Sequence, residues 1–421
     1  MTDAPIVVIG GGLVGLTTAY EIATRGRDVV VVEAAEGVGL QTSFANGALL
    51  TPSMSDPWNA PGVLGRLLGS VFDPHSAMKL NLSATPGLID WGLKFISNSA
   101  PNRFAAATRA SYRLARYSVD CLDQLRSDLA LAYRHSDAGA MKVFSDENAL
   151  RASRAVAAEL QPLGLRCVHL DQAATIRQEP ALAPVRDRLV GALYFPDDRS
   201  GDAHLFCRAL ADRLLSAGGR IRTGFPVSRI TMRDSAAVGV VSNGGEEMAA
   251  TAVIVAAGGQ ASRLVRPLGV RLAIQPAKGY TLTFDAAPAA LPAMPVIDDA
   301  MHAVVVPLGK GLRVAGTAEF AGDDLTVRPE RIDNLWALLV TLYPMIAEQI
   351  DRRSGRPWAG LRPMSADGLP YVGPTPVHGL YANAGHGHLG WTLAAGSARL
   401  LADQLTGATP QIDPAPYRVE R

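Results

Sequence analysis

Ten residues near the C-terminus, NAGHGHLGWT (383–392), place Gly385, Gly387 and Gly390 around His386 and His388. An alanine-rich apolar run follows at once. Two histidines suggest a metal. No third nitrogen, thiolate or carboxylate lies near them in sequence, and Cys121, Cys167 and Cys207 are widely spaced without a CxxC pair. No metal is therefore expected. Glycines before a helix suit a different ligand. They let the backbone lie against a flat, electron-rich group, and the helix that begins near Gly390, with Leu389, Trp391 and Thr392 at its start, points its positive end at that group.

A second glycine cluster narrows the ligand. In PIVVIGGGLVGLTTAYEIATRGRDVVVVE, residues 6–9 read as a buried parallel strand, Gly10, Gly12 and Gly15 form G-x-G-x-x-G, a helical pattern follows, and a second apolar strand ends at Glu33 and Ala34. Gly10 permits the turn, Gly12 lets backbone N–H groups reach a pyrophosphate, and Gly15 lets helix and strand pack closely. Leu13 and Val14 open the helix whose N-terminus faces the phosphates. The Glu33 carboxylate suits a ribose diol and would repel a 2′-phosphate.

This unit alone does not separate FAD from NAD. Three later segments favour a resident flavin. LQTSFANGALLTP supplies Gln41, Thr42, Ser43, Asn46 and Gly47 as small groups leading out of the nucleotide fold. TAVIVAAGGQASRLV repeats the strand–glycine–helix pattern, with Ala257 and Gly258 in its turn. The third is the C-terminal glycine loop, whose helix stabilises charge on a reduced flavin.

On these residues, and on WNAPGVLGRLL, FPDDRSGDAHLF, PAKGYTLTF and GLRPMSADGLPYVG, the chain resembles the FAD-dependent amine and D-amino-acid oxidoreductases. That family includes glycine oxidase and D-amino-acid oxidase, and the resemblance is to its D-amino-acid dehydrogenase small-subunit type. It implies non-covalent FAD, hydride transfer from a D-amino acid's Cα to flavin N5, and hydrolysis of the imino acid to a 2-oxo acid and ammonia. Electrons then pass to a quinone, another acceptor or oxygen. A secondary amine (D-proline, hydroxy-D-proline, sarcosine or an opine) is the alternative substrate. An NAD-dependent dehydrogenase and a flavin subunit that only relays electrons are the competing readings.

The resemblance also assigns residues. Arg362 in GLRP grips the substrate carboxylate, which a guanidinium matches in bidentate geometry. Val227 gives adenine a backbone contact. Family members often carry a tyrosine on the first strand of the hairpin DDAMHAVVVPLGKGLRVAG. Here that strand has Met301, His302, Val304 and Val306, and Tyr280 in KGYTL stands in for the missing contact. His386 and His388 either touch flavin or substrate or serve as structural histidines.

These groups need two folding units to hold them. The expected class is α/β: a Rossmann-like FAD-binding domain interleaved with an α+β substrate-binding domain on an antiparallel or mixed sheet. The expected order is flavin fold (1–50), a mainly helical segment (51–138), substrate domain (139–199), flavin fold (200–269), substrate domain (270–350) and flavin fold (351–421). With 40 Lys and Arg against 39 Asp and Glu, nothing draws the chain to nucleic acid. The basic n-region of a signal peptide is missing, and so is any run of 18 apolar residues, which points to the cytoplasm. APGVLGRLLGSVF (60–72) reads either as a peripheral contact with the inner face of the membrane or as core. Oligomeric state is left open.

Overall fold

The computed structural model describes residues 4–63, 78–80, 85–285 and 291–421. Most of the apolar segment at 60–72 lies outside them. A six-stranded sheet runs in the order Tyr371–Pro374, Leu380–Ala384, Ala252–Val255, Ile6–Ile9, Val29–Val32, Arg220–Arg222. All neighbours are parallel except the first pair. The two N-terminal strands are apolar at every position because both faces are covered. Ile6, Val8, Val29 and Val31 pack with Leu16, Ile22, Leu210 and Leu393 of three helices, Leu13–Ala23, Ala203–Ser216 and Gly390–Thr406. Val7, Ile9, Val30 and Val32 pack on the opposite face with Ile230 and Val240 of a three-stranded antiparallel sheet.

A second sheet has nine strands, with Arg356–Ser365, Ile274–Phe284, Gly311–Phe320 and Ala303–Leu308 side by side. Val296–Asp298 and Ala140–Phe144 continue it through a parallel pair, so the sheet is mixed. Tyr280, Leu282 and Phe284 pack on one face with Leu335, Leu338 and Leu339 of the helix Pro329–Leu342. On the other, Val304, Val306 and Ala315 pack with Ala48 from the loop that leaves the nucleotide fold.

Two sequence expectations change. The strand Arg356–Ser365 pairs along ten positions with Ile274–Phe284, so Arg362 belongs to the substrate sheet. The last return to the flavin fold starts with Tyr371–Pro374, not at residue 351. His302 does not sit on a strand. It closes the turn before Ala303–Leu308 with φ +46°, a left-handed conformation. No helix among the described residues is long and apolar enough to cross a membrane.

Candidate active site

One cavity of about 1560 Å³ is lined by residues of both sheets. At one end stand Gly10, Gly12, Leu13, Val14, Glu33, Ala34 and Val227; at the other stand Arg362, Trp58 and Trp358. Two helix N-termini border it. Leu13–Ala23 and Gly390–Thr406 both start without a side-chain cap. The Leu13 N–H reaches Ser43 Oγ at 3.1 Å. Uncapped N-termini facing a void are suited to anionic or electron-rich groups. Glu33 is buried, and its two oxygens accept from the N–H groups of Gly11 at 2.5 Å and Ala35 at 2.9 Å. Gly47 and Gly258 have open space where a Cβ would be. The residues present fit FAD: a glycine turn and carboxylate at one end, a long wall of Gln41, Thr42, Ser43, Asn46, Gly47, Ala257 and Gly258, and a second helix start at Gly390.

Not every expected group reaches the cavity. Gly15 lies beneath the Gly10 carbonyl, and Leu389 is buried in the core. Thr392 Oγ1 accepts from the Thr51 N–H at 3.0 Å. Thr42 faces the cavity, but its hydroxyl donates to Leu361 O at 2.9 Å and ties the two domains together.

Among the described residues, Arg362 is the one cavity-lining cation whose setting asks for an anion from outside. Its Nη1 donates to Thr317 O at 3.0 Å, and its Cζ lies 5.7 Å from the centre of the Trp58 ring. No carboxylate partners it among the described residues. Desolvation pushes its guanidinium down to about 10. The guanidinium lies across the bare backbone of Gly279, where a Cβ would come within 2.3 Å of Nη1. Gly279→Ala is therefore expected to keep the fold, because a flexible side-chain end can move, yet to displace the guanidinium. Its kcat/KM should fall at least ~30-fold with FAD content unchanged. Wild-type kinetics in that variant would show that the guanidinium's position is not critical.

Tyr280 is among the residues lining the cavity, but its ring faces away from Arg362. Ala277 pairs with Arg362 and Tyr280 with Ala359, and adjacent strand positions face opposite ways. The Tyr280 hydroxyl donates instead to Glu319 Oε2 at 2.7 Å, in a buried network with Lys278 and Arg328. His386 is buried, with Nε2 2.9 Å from Ser397 Oγ, and desolvation pushes it down to about 3, so it stays neutral. His388 Nε2 lies 3.1 Å from Met54 O, and its ring stacks on Trp58. The exposed His302 lines the mouth of the cavity. The histidine pair thus points at protein groups. Asp123, His135 and Asp137 do approach within 4.8 Å of one another, but Arg126 and Arg199 already pair with the two carboxylates.

The segment 51–60 walls the cavity, a role that sequence reasoning missed for Thr51, Met54 and Trp58. It is anchored at Ser53, whose N–H and hydroxyl donate to Asp198 at 3.2 and 2.5 Å. Asp198 is 1% exposed, and burial pushes its carboxyl from 3.8 up to about 7 despite those bonds. Between these values the folded protein keeps a proton that the unfolded chain has released, so stability falls as pH rises through this window. Asp198→Asn removes that loss. The variant should match wild type in denaturant melts near pH 4 and exceed it by roughly 2–4 kcal/mol at pH 8. An equal difference at both pH values would remove the proton from the explanation.

Comparison with known proteins agrees with a flavin-binding fold. The family model described as FAD dependent oxidoreductase matches residues 5–404. A D-amino acid dehydrogenase of Methylobacterium nodulans is 38% identical over 408 residues, covering 97% of this chain and 96% of that protein. One of Xanthobacter autotrophicus is 37% identical over 417 residues, covering 99% and 98%. Among solved structures, glycine oxidase from Geobacillus kaustophilus matches with a TM-score of 0.76 at 24% identity, covering 100% of this chain and 99% of that one. L-proline dehydrogenase from P. horikoshii matches with a TM-score of 0.78 at 18% identity, covering 100% and 97%. Both structural likenesses concern the fold.

Proposed function

The chain belongs to the FAD dependent oxidoreductase family, and from that premise we propose that it is a dehydrogenase that oxidatively deaminates D-amino acids. The observation that carries this reading is Arg362: a desolvated guanidinium with no carboxylate partner among the described residues, in the same cavity as the dinucleotide-binding glycine turn. When bound, FAD supplies the two-electron acceptor for the hydride on the substrate's Cα.

The chain's own contribution is positioning. Arg362 holds the substrate carboxylate and so fixes where Cα lies. Trp58 and Trp358 line that end of the cavity. The start of the helix Gly390–Thr406 favours negative charge beside it. His386, held neutral against Ser397, takes no part in proton transfer. The amine enters in its neutral form, and the imino acid hydrolyses to a 2-oxo acid and ammonia. Electrons leave to a quinone or another acceptor. A secondary amine bearing a carboxylate satisfies the same anchor, which keeps D-proline and its relatives as the second reading.

The test is an anaerobic absorbance titration of the purified protein with D- and L-amino acids, D-proline and hydroxy-D-proline included. Bleaching of the flavin band by D-isomers alone is the expected result. A yellow protein bleached by none of them would overturn the substrate assignment, and a colourless one that binds no added FAD would overturn the cofactor as well.

A further inference from the structure

Among the described residues, Arg362 is fixed by a single hydrogen bond, to Thr317 O. A guanidinium carries five donors in a planar fork, and one bond does not set the plane of that fork. One face of the fork lies on the Gly279 backbone, and the ring nearest it is Trp58, 5.7 Å from Cζ. Trp58 lies in the irregular stretch that follows the short 3-10 helix Pro52–Met54, so its own position needs support. Asn59 Nδ2 donates to Ala366 O at 3.2 Å on one side of it. Against the ring itself lies His388, with centroids 5.4 Å apart and planes at 22°.

His388 is fixed in turn. Its Nε2 lies 3.1 Å from Met54 O, and a carbonyl only accepts, so Nε2 carries the proton and donates. Burial and the charge of Arg362 hold the ring below its ordinary pKa, so the neutral tautomer persists. One imidazole therefore clamps the 51–60 segment at two points, the Met54 carbonyl and the Trp58 face.

We infer that His388 is a positioning residue for the substrate carboxylate, acting through Trp58 to set the plane of the Arg362 guanidinium. This rests on the reading of Arg362 as the carboxylate anchor. It assigns the second histidine of the glycine loop to substrate binding at one remove, and it makes Trp58 the specificity wall of the carboxylate end. The ring's stacking surface is what matters for Trp58, so phenylalanine should replace the imidazole where alanine cannot.

The experiment is steady-state kinetics of the FAD-loaded full chain with the best D-amino acid found for wild type, and a double-mutant cycle over the two rings. His388→Ala is expected to raise KM about tenfold with kcat within about twofold. His388→Phe is expected to bring KM back to within about threefold of wild type. Trp58→Ala should raise KM at least as much as His388→Ala, and adding His388→Ala to it should change little further, because the two act as one unit. Unchanged KM in His388→Ala would overturn the inference. So would a phenylalanine variant no better than the alanine one, or multiplicative effects in the double variant. Should His388→Ala fail to load FAD, the phenylalanine and Trp58 variants decide by the same criteria. A wild-type protein that no amino acid reduces would instead overturn the reading of Arg362, and that is seen before any variant is compared.

Discussion

Replacing Arg362 with alanine is expected to lower kcat/KM for amino-acid substrates by about 30- to 4,000-fold while leaving the protein yellow and folded. Removing one partner of an enclosed charge pair costs about 2–5 kcal/mol, and each 1.4 kcal/mol is a factor of ten. The loss should appear in both parameters. Carboxylate binding raises KM, and a substrate whose Cα is no longer held loses kcat too. Arg362→Lys should recover only part, since an ammonium is a point charge without the planar fork. Stability should move the other way. Burial pushes the wild-type guanidinium down to about 10, and no carboxylate partners it among the described residues, so the fold gains nothing from its charge. The alanine variant should melt at or above the wild-type temperature, measured with FAD content held equal. Full activity in it, or loss of FAD along with activity, would take Arg362 out of the carboxylate role.

Local features of the chain were legible before any coordinates. G-x-G-x-x-G between two valine-rich strands and Glu33 at the second strand's end are short-range patterns, and each part has a separate steric or electrostatic task. The hairpin at 303–320 was legible for the same reason. What was hidden depends on register or long-range contact. Tyr280 and Arg362 look compatible in sequence, and only the pairing of Ala277 with Arg362 shows that Tyr280 faces away. GLRPMSADGLPYVG reads as one flavin segment, yet the chain leaves one sheet at Ser365 and joins the other at Tyr371. Trp58 reaches Arg362, and Asp198 reaches Ser53, from distant parts of the chain. PDDRS in sequence signals a turn and nothing about a buried carboxyl.

The nucleotide end of the cavity offers the second large effect. Gly15→Ala should yield protein that binds little or no FAD and melts at least ~5 °C below wild type. A Cβ at position 15 would lie 1.8 Å from the Gly10 carbonyl oxygen and 2.9 Å from its carbon. Both are backbone atoms and cannot swing aside. Gly10 is itself fixed by its φ of +113° and by the Ala256 carbonyl, which a Cβ there would meet at 2.6 Å. The helix Leu13–Ala23 would have to lift off the strand, which breaks its packing on Gly390–Thr406 and draws its uncapped start away from the phosphates. Gly92→Ala is the matched control. It sits in the helix Thr85–Ser97 with nothing within 4 Å of the new Cβ, so the same methyl should leave FAD unchanged and stabilise by up to about 1 kcal/mol. Flavin absorbance after gel filtration and a thermal melt report both variants. Two variants that behave alike would mean that helix propensity, not the contact between Gly15 and the Gly10 carbonyl, governs the effect, and the close helix–strand approach would lose its role in holding FAD.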